Sequence, residues 1–182
     1  MGEAISVTSC SRCKLPAVVH QPYSGQHLCG KHLSDSIRRR TSKELRRQLT
    51  LPKDARKTDG SPYVVLIAVS GGKDSAVLLT MMKDSIGGRR DVRLVAGCVD
   101  EGIDGYRSPS LECARSLSED LGVDFVTLSY EELGYDRMDK VVSKIPAMGE
   151  LNDEASGMMP CSFCGVFRRQ SLNALADKVG AD

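Results

Sequence analysis

The sequence predicts an α/β fold, a parallel sheet flanked by helices and preceded by a small metal-binding module. Three observations predict it. The apolar run Val64 to Ser70 passes through Gly71 and Gly72 into a helical pattern, Lys73 to Ile86. Two later apolar runs, Val92 to Val99 and Val123 to Leu128, alternate with a further helical pattern, as a βαβ chain requires. Near the start, two short ligand pairs stand apart from any such pattern, Cys10-x-x-Cys13 and Cys29-x-x-His32. A length of 182 residues suits one α/β domain with a small appendage. The expected organisation is a zinc-knuckle module over 1–35, a basic helix and linker over 36–60, and a nucleotide-binding domain over 61–182.

The first pairs read as a closed tetrahedral zinc site, with Cys10, Cys13, Cys29 and His32 as ligands and His20 and His27 as competitors for the fourth place. Gly25 and Gly30 supply turn freedom, and so short a segment has little else to fold around. Ser34 to Leu49 follows as a helix, with Ile37, Thr41, Leu45 and Leu49 on one face and Arg38, Arg39, Lys43, Arg46 and Arg47 on the rest. Residues 1–60 hold 12 Lys or Arg against 5 Asp or Glu, a net of +7, while residues 61–182 carry a net of −6. A basic appendage beside an acidic domain suits a polyanion, and RNA phosphate contact is expected of this helix. Thr50 to Pro62, polar and carrying two prolines, reads as the linker.

The strand from Val64 should be buried on both faces, and the glycine turn after it aims free N–H groups and a helix N-terminus at an anion. Gly87-Gly88 closes the helix, and the second strand ends in Asp100-Glu101-Gly102-Ile103-Asp104-Gly105-Tyr106-Arg107, a loop that should face the same crevice. Ser108-Pro109 reads as an N-cap and first turn of a helix reaching Leu121. Cys98 and Cys113 read as buried small residues. Met138 to Ile145 is expected as a short helix and Pro146 to Pro160 as a mobile approach. Cys161-x-x-Cys164 then opens a last helix, closed by Gly180, with Arg168 and Arg169 in its first turns. Thiols so placed suit metal binding or attack on sulfur. A βαβ sheet would next require another strand, so the chain is expected to be an N-terminal fragment. Without a run of about twenty apolar residues or a signal-peptide pattern, it is expected in the cytoplasm with no membrane partner.

The turn is not the phosphate loop of kinases and GTPases, for Ile67 and Asp74 stand where that pattern needs Gly and Ser or Thr. Ser70-Gly-Gly-Lys-Asp-Ser75 instead resembles the PP-loop of the ATP pyrophosphatases, an adenine nucleotide alpha hydrolase-like fold, which implies AMP transfer to a carbonyl oxygen with release of pyrophosphate. Together with the zinc knuckle, the DEGIxGYR loop and CSFCGVFRR, it resembles the tRNA 2-thiouridine synthetases of the TtuA/NcsA type, with the TtcA cytidine thiolases more distant.

This resemblance implies ATP-dependent thiolation at C2 of a tRNA uridine, with ATP, Mg2+, Zn2+ and a 4Fe-4S cluster as cofactors. Ala68, Val69, Ser70, Gly71, Gly72, Lys73, Asp74, Ser75 and Val99 match the ATP site, with Lys73 cradling pyrophosphate and Asp74 placing magnesium. Cys161 and Cys164 match two of three cluster ligands, and the third belongs to a part of the family that the chain does not include. Arg168 stands where the relatives that modify uridine 54 carry a catalytic lysine, and this tilts the chain toward wobble uridine 34. Implied partners are tRNA, a sulfur donor (sulfide, a persulfide or a ubiquitin-like thiocarboxylate protein) and a second subunit, in a homodimer or heterodimer. Rival readings are thiolation of uridine 54, a lysidine-type or amidotransferase ligase, and a non-catalytic zinc-stabilised RNA-binding protein.

Overall fold

The computed structural model describes residues 8–49, 51–105, 107–151 and 159–182, in two compact units, Met1–Leu51 and Pro52–Asp182. Tyr106 of the DEGIxGYR loop and residues 152–158 of the expected mobile approach lie outside the described residues.

In the first unit a hairpin of β1 (Val19–Gln21) and β2 (Gln26–Leu28) turns at Gly25, whose φ of 63° suits glycine. Helix α1 (Gly30–Gln48) follows at once, capped by Cys29. It begins four residues earlier than expected, so His32 lies in its first turn and Gly30 is helical, not part of a turn. The knuckle and the basic helix therefore share one unit. Its interior is small: Cys10, Leu28 and Cys29 are buried, with Cys13, Val19 and Leu33 against them. Ile37, expected on a packing face, is exposed, as are Arg38, Arg39, Lys43, Arg46 and Arg47.

The second unit is built on three parallel strands, β3 (Tyr63–Ala68), β4 (Val92–Asp100) and β5 (Asp124–Ser129), in that order across the sheet. Central β4 is the strand buried on both faces, from Leu94 to Val99. β3, for which that burial was expected, is an edge among the described strands and only partly covered. The helices are α2 (Lys73–Ile86), α3 (Arg107–Asp120), α4 (Met138–Leu151) and α5 (Pro160–Val179). A side chain on Gly97 would meet Leu175 of α5, whereas Cys98 meets Arg107 of α3. Neighbouring residues on a strand face opposite ways, so α3 and α5 cover opposite faces of the sheet. Gly180, with φ of 65°, ends α5, and Asp182 returns to β3, its N–H donating to the Val64 carbonyl at 3.1 Å.

Three expectations need correction. Ser108 is not a cap, because α3 already begins at Arg107 and Pro109 sits in its first turn, where a missing N–H costs nothing. Helix α4 does not stop at Ile145 but continues through Pro146 to Leu151. Cys113 is exposed, in the open groove beside the glycine loop, while Cys98 is buried as expected.

The glycine turn is the tightest point of the unit. Gly71 has φ of 81°, and a Cβ there would stand 2.0 Å from the Ser110 carbonyl oxygen. Both constraints are backbone constraints and cannot be relieved by a rotamer change. Gly71→Ala is therefore expected to lower stability by about 1–3 kcal/mol, read as an earlier midpoint in urea unfolding; an unchanged midpoint would show that the loop relaxes freely.

Candidate functional site

At the carboxyl ends of β3 and β4 lies an open cavity of about 250 Å³, lined by Ala68, Val69, Ser70, Ser75, Val99, Glu101, Arg107, Arg168 and Leu172. Six of these are residues singled out from the sequence: Ala68, Val69, Ser70, Ser75, Val99 and Arg168. The glycine loop closes on itself, since Ser75 Oγ donates to the Gly72 carbonyl at 2.9 Å and accepts from the Ser70 N–H at 3.2 Å. That leaves the N-terminus of α2 pointing outward with Gly72 as its cap. Lys73 and Asp74, expected to act on phosphate and magnesium, are almost fully exposed and pair with each other at 3.3 Å. They do not line this cavity; Gly71 and Gly72 line an adjoining groove with Gly105, Pro109, Ser110 and Cys113.

The cavity floor holds two charged groups of the loop expected at this crevice, Glu101 and Arg107, whose burial and pairing the sequence did not reveal. Arg107 and Glu101 are each 5% exposed, and Arg107 Nε stands 2.7 Å from Glu101 Oε2. The contact is off the hydrogen-bond direction, so it is an ion pair, and the Nε–H has no proper acceptor. The other nitrogens of Arg107 donate to the Ser70 carbonyl at 3.2 Å, to Ser110 Oγ at 3.2 Å, to the Val99 carbonyl and to Cys98 Sγ at 2.8 Å. Burial raises the Cys98 thiol despite this donor, so it stays a neutral acceptor. The other oxygen of Glu101 accepts from Arg168 Nε at 3.1 Å, and Arg168 Nη2 reaches Cys164 Sγ at 3.2 Å. Partial burial works against the Arg168 charge, but the Cys164 sulfur and the Glu101 carboxylate outweigh it and hold its pKa up.

Cys161 and Cys164 occupy the first turn of α5, three apart and so on one side of it. Cys161 is exposed and Cys164 half-buried. Tyr130 donates its hydroxyl to the Cys164 carbonyl at 3.1 Å and lies 3.5 Å from its sulfur. Burial, and then the Cys164 hydrogen bond, raises the phenol pKa and keeps it protonated. Tyr135 stacks on Phe167 at 4.6 Å, with Tyr130 edge-on to both, and Phe163 packs into the same cluster. Half of the chain's eight aromatic residues thus surround this thiol. Soft sulfurs on one turn, an apolar cluster packed against one of them and a guanidinium donor to its sulfur fit two ligands of an iron–sulfur cluster. Of the other cysteines in this unit, Cys98 is engaged by Arg107 and Cys113 lines the groove at the glycine loop.

In the first unit the ligand atoms of Cys10, Cys13, Cys29 and His32 all lie within 4.8 Å of one another. Tetrahedral zinc requires S···S edges of about 3.8 Å and S···N edges of about 3.5 Å. The observed edges are 3.7 Å for Cys13 to Cys29 and 3.4 Å from His32 Nδ1 to both Cys10 and Cys29. The residues fit zinc. His20 and His27 instead stack on each other across the hairpin, ring centres 4.4 Å apart. Burial pushes the Cys10 thiol up, but the N–H groups of Cys29 and Arg12 and the His32 ring outweigh it and bring it down to about 6. The Leu15 N–H draws Cys13 down, yet burial and the neighbouring sulfurs leave it raised. Crowded thiols resist ionising together unless a cation joins them.

Known proteins similar to this chain cover both of its units. Residues 9–34 match the model of the N-terminal LIM domain of 2-thiouridine synthetase TtuA. The tRNA 2-thiolation protein NcsA of Haloferax volcanii is 39% identical over 95% of this chain and 50% of its own length. The chain is homologous to the tRNA 2-thiolation proteins. Cytoplasmic tRNA 2-thiolation protein 1 of Drosophila pseudoobscura pseudoobscura is 36% identical over 90% of the chain and 43% of its own length. The solved U34-tRNA thiolase NcsA from Methanococcus maripaludis with its 4Fe-4S cluster superposes with a TM-score of 0.73 at 28% identity, covering 98% of this chain and 53% of the other. The chain spans about half the length of the curated 2-thiolation relatives it matches. Among the described residues no helix is long and apolar enough to cross a membrane.

Measured by metal analysis, Cys29→Ser and His32→Ala are expected to lose zinc and His20→Ala to keep it; loss in the last alone would move the fourth ligand. Because the folded Cys10 pKa is lowered, its thiolate contribution is present above the unfolded value and is lost as pH falls through about 6. Zinc release, followed with a chromogenic chelator, should therefore increase as the pH is lowered toward and through that value.

Proposed function

We propose that this chain carries the ATP-binding and sulfur-handling groups of a cytoplasmic tRNA 2-thiolation enzyme acting on wobble uridine 34. One observation carries the reading: a single run of charges, Arg107, Glu101 and Arg168, joins the glycine loop to Cys164 around one cavity. A nucleotide site and a sulfur site so connected suit a reaction in which an activated oxygen is replaced by sulfur. Homology along 95% of the chain supports the same chemistry, and the U34 thiolase among the structural relatives supports the position.

A uridine C2 carbonyl is a weak electrophile and its oxygen a poor leaving group. Transfer of AMP to that oxygen, with pyrophosphate released, remedies both. The loop N–H groups of Gly71 and Gly72 would bind phosphate oxygens at the N-terminus of α2. Lys73 would neutralise developing charge, and Asp74, exposed beside it, would hold the magnesium ion. Val99 and Val69 offer apolar wall for the base. Cys161 and Cys164 would hold the sulfur-bearing group, and Arg168 would orient it. A cluster ligated there would supply an iron position able to take up sulfide. Attack of sulfur on C2 then expels AMP. The uridine must leave its stack to reach such a site.

Docking of tRNA falls to the exposed basic face of α1, which meets phosphates without reading bases. As partners we propose tRNA, sulfide as the immediate sulfur source, and a second subunit.

The test is thiolation of a wobble-uridine tRNA by protein purified without oxygen, followed on mercury-containing gels together with AMP release. Asp74→Ala should lower both by roughly a hundredfold or more, whereas Cys164→Ser should abolish thiolation and keep ATP binding. Thiolation at wild-type rates in either variant would overturn the reading, as would an amine-dependent, sulfur-independent AMP release. Arg39→Ala with Lys43→Ala should weaken tRNA binding and reduce the salt slope by about 1–2.

A further inference from the structure

We propose that Glu101 is a positioning residue for the thiol pair: its buried carboxylate clamps Arg107 beneath the glycine loop and Arg168 over Cys164, fixing both sites in one geometry. The inference rests on the proposed function only for the roles it gives those two sites.

The geometry is a three-way one. Glu101 follows β4 directly and is buried, with one oxygen turned to each guanidinium, Oε2 to Arg107 at 2.7 Å and Oε1 to Arg168 at 3.0–3.1 Å. The two arginines differ in how firmly they are held. Arg107 has four acceptors besides Glu101 and is buried, so it stays in place on its own contacts. Arg168 has half of its side chain in solvent, and its described partners are Glu101 and the Cys164 sulfur. A flexible, half-exposed guanidinium is ordered over a weak sulfur acceptor only if a stronger acceptor pins it. Glu101 supplies that acceptor, and Arg107 in turn holds Glu101 at a fixed distance from Ser70. Cys161, one turn back on the same helix and exposed, has no such contact among the described residues.

The test compares the two thiols in one molecule. Cys161 and Cys164 of the full zinc-loaded chain are alkylated with iodoacetamide at one fixed pH, without nucleotide, and the two rates are read by mass spectrometry. Glu101→Gln keeps shape and removes charge; Arg168→Gln removes the guanidinium and leaves the Glu101–Arg107 pair. Each is expected to shift the Cys164 to Cys161 rate ratio by about threefold or more, as loss of one net hydrogen bond implies, and in the same sense. General loosening of α5 would speed both thiols together and leave the ratio unmoved. A folded Glu101→Gln with an unchanged ratio, or a shift opposite to that of Arg168→Gln, overturns the proposal. Should Glu101→Gln not fold, Glu101→Asp, which withdraws the charge by one methylene, must show the shift, and an unchanged ratio there overturns it equally. ATP binding to the wild type is measured alongside: its absence would overturn the proposed function and leave the ratio to decide the role of Glu101.

Discussion

The second unit depends on a buried carboxylate held between two guanidiniums at the carboxyl end of its central strand. Glu101 and Arg107 could not be buried singly, because an unpaired charge in such a place costs about 3–5 kcal/mol once its partner is removed. Paired, they convert a loop into a fixed frame. Arg107 begins α3 and reaches back to Ser70, just beyond β3, and to Val99, next to the end of β4. The start of α3 is thereby drawn against the glycine turn, and Ser110, one turn into the helix, crowds Gly71 until no side chain fits. The glycine at that position follows from the arginine's reach as much as from phosphate chemistry.

The first unit is stabilised on a different principle. It has too little apolar surface to fold by burial, and two of the three residues of its buried apolar cluster are thiols that also stand at zinc-ligand distances. The ligands come from every part of it: Cys10 and Cys13 precede the hairpin, Cys29 follows it, and His32 lies in the first turn of α1. One ion can therefore fix the hairpin and the start of the basic helix together, beside only a small apolar cluster. This explains why α1 can turn so many arginines to solvent and even leave Ile37 exposed.

Much of this was legible in the sequence, where a local pattern decides the structure. The glycine turn and the bounds of α2 were readable because backbone freedom and helical spacing are properties of neighbouring residues. The zinc ligands were readable because their spacing is, although the choice of His32 over His20 and His27 becomes visible only when the hairpin pairs the latter two. Other features escaped because they are set at long range. Pro146 reads as a stop, yet α4 packs on α5 and continues through it. Cys113 falls in the open groove beside the glycine loop, which spacing alone did not reveal. Glu101 and Arg107 were in view as part of a loop, but a sequence shows charges as solvated until a fold buries them. Tyr130 carried no signal at all; its role arises from α5 crossing the end of β5.

The balance of charge around the cavity gives its chemistry a direction. Two guanidiniums face one carboxylate there, so the described groups leave one positive charge in excess in a partly dry space. Low dielectric makes such an excess costly unless an anion approaches. Two anions are at hand in the proposed reaction, the phosphates of the nucleotide and sulfur in its reduced form, and they would approach from different ends of the same charged run. The glycine loop offers N–H groups to the first, and Arg168 already leans on the sulfur of Cys164. Because Glu101 can fully neutralise only one arginine at a time, an anion arriving at one end leaves the carboxylate freer for the other. A single acidic residue between two basic ones thus ties together the electrostatics of the two ends of the cavity.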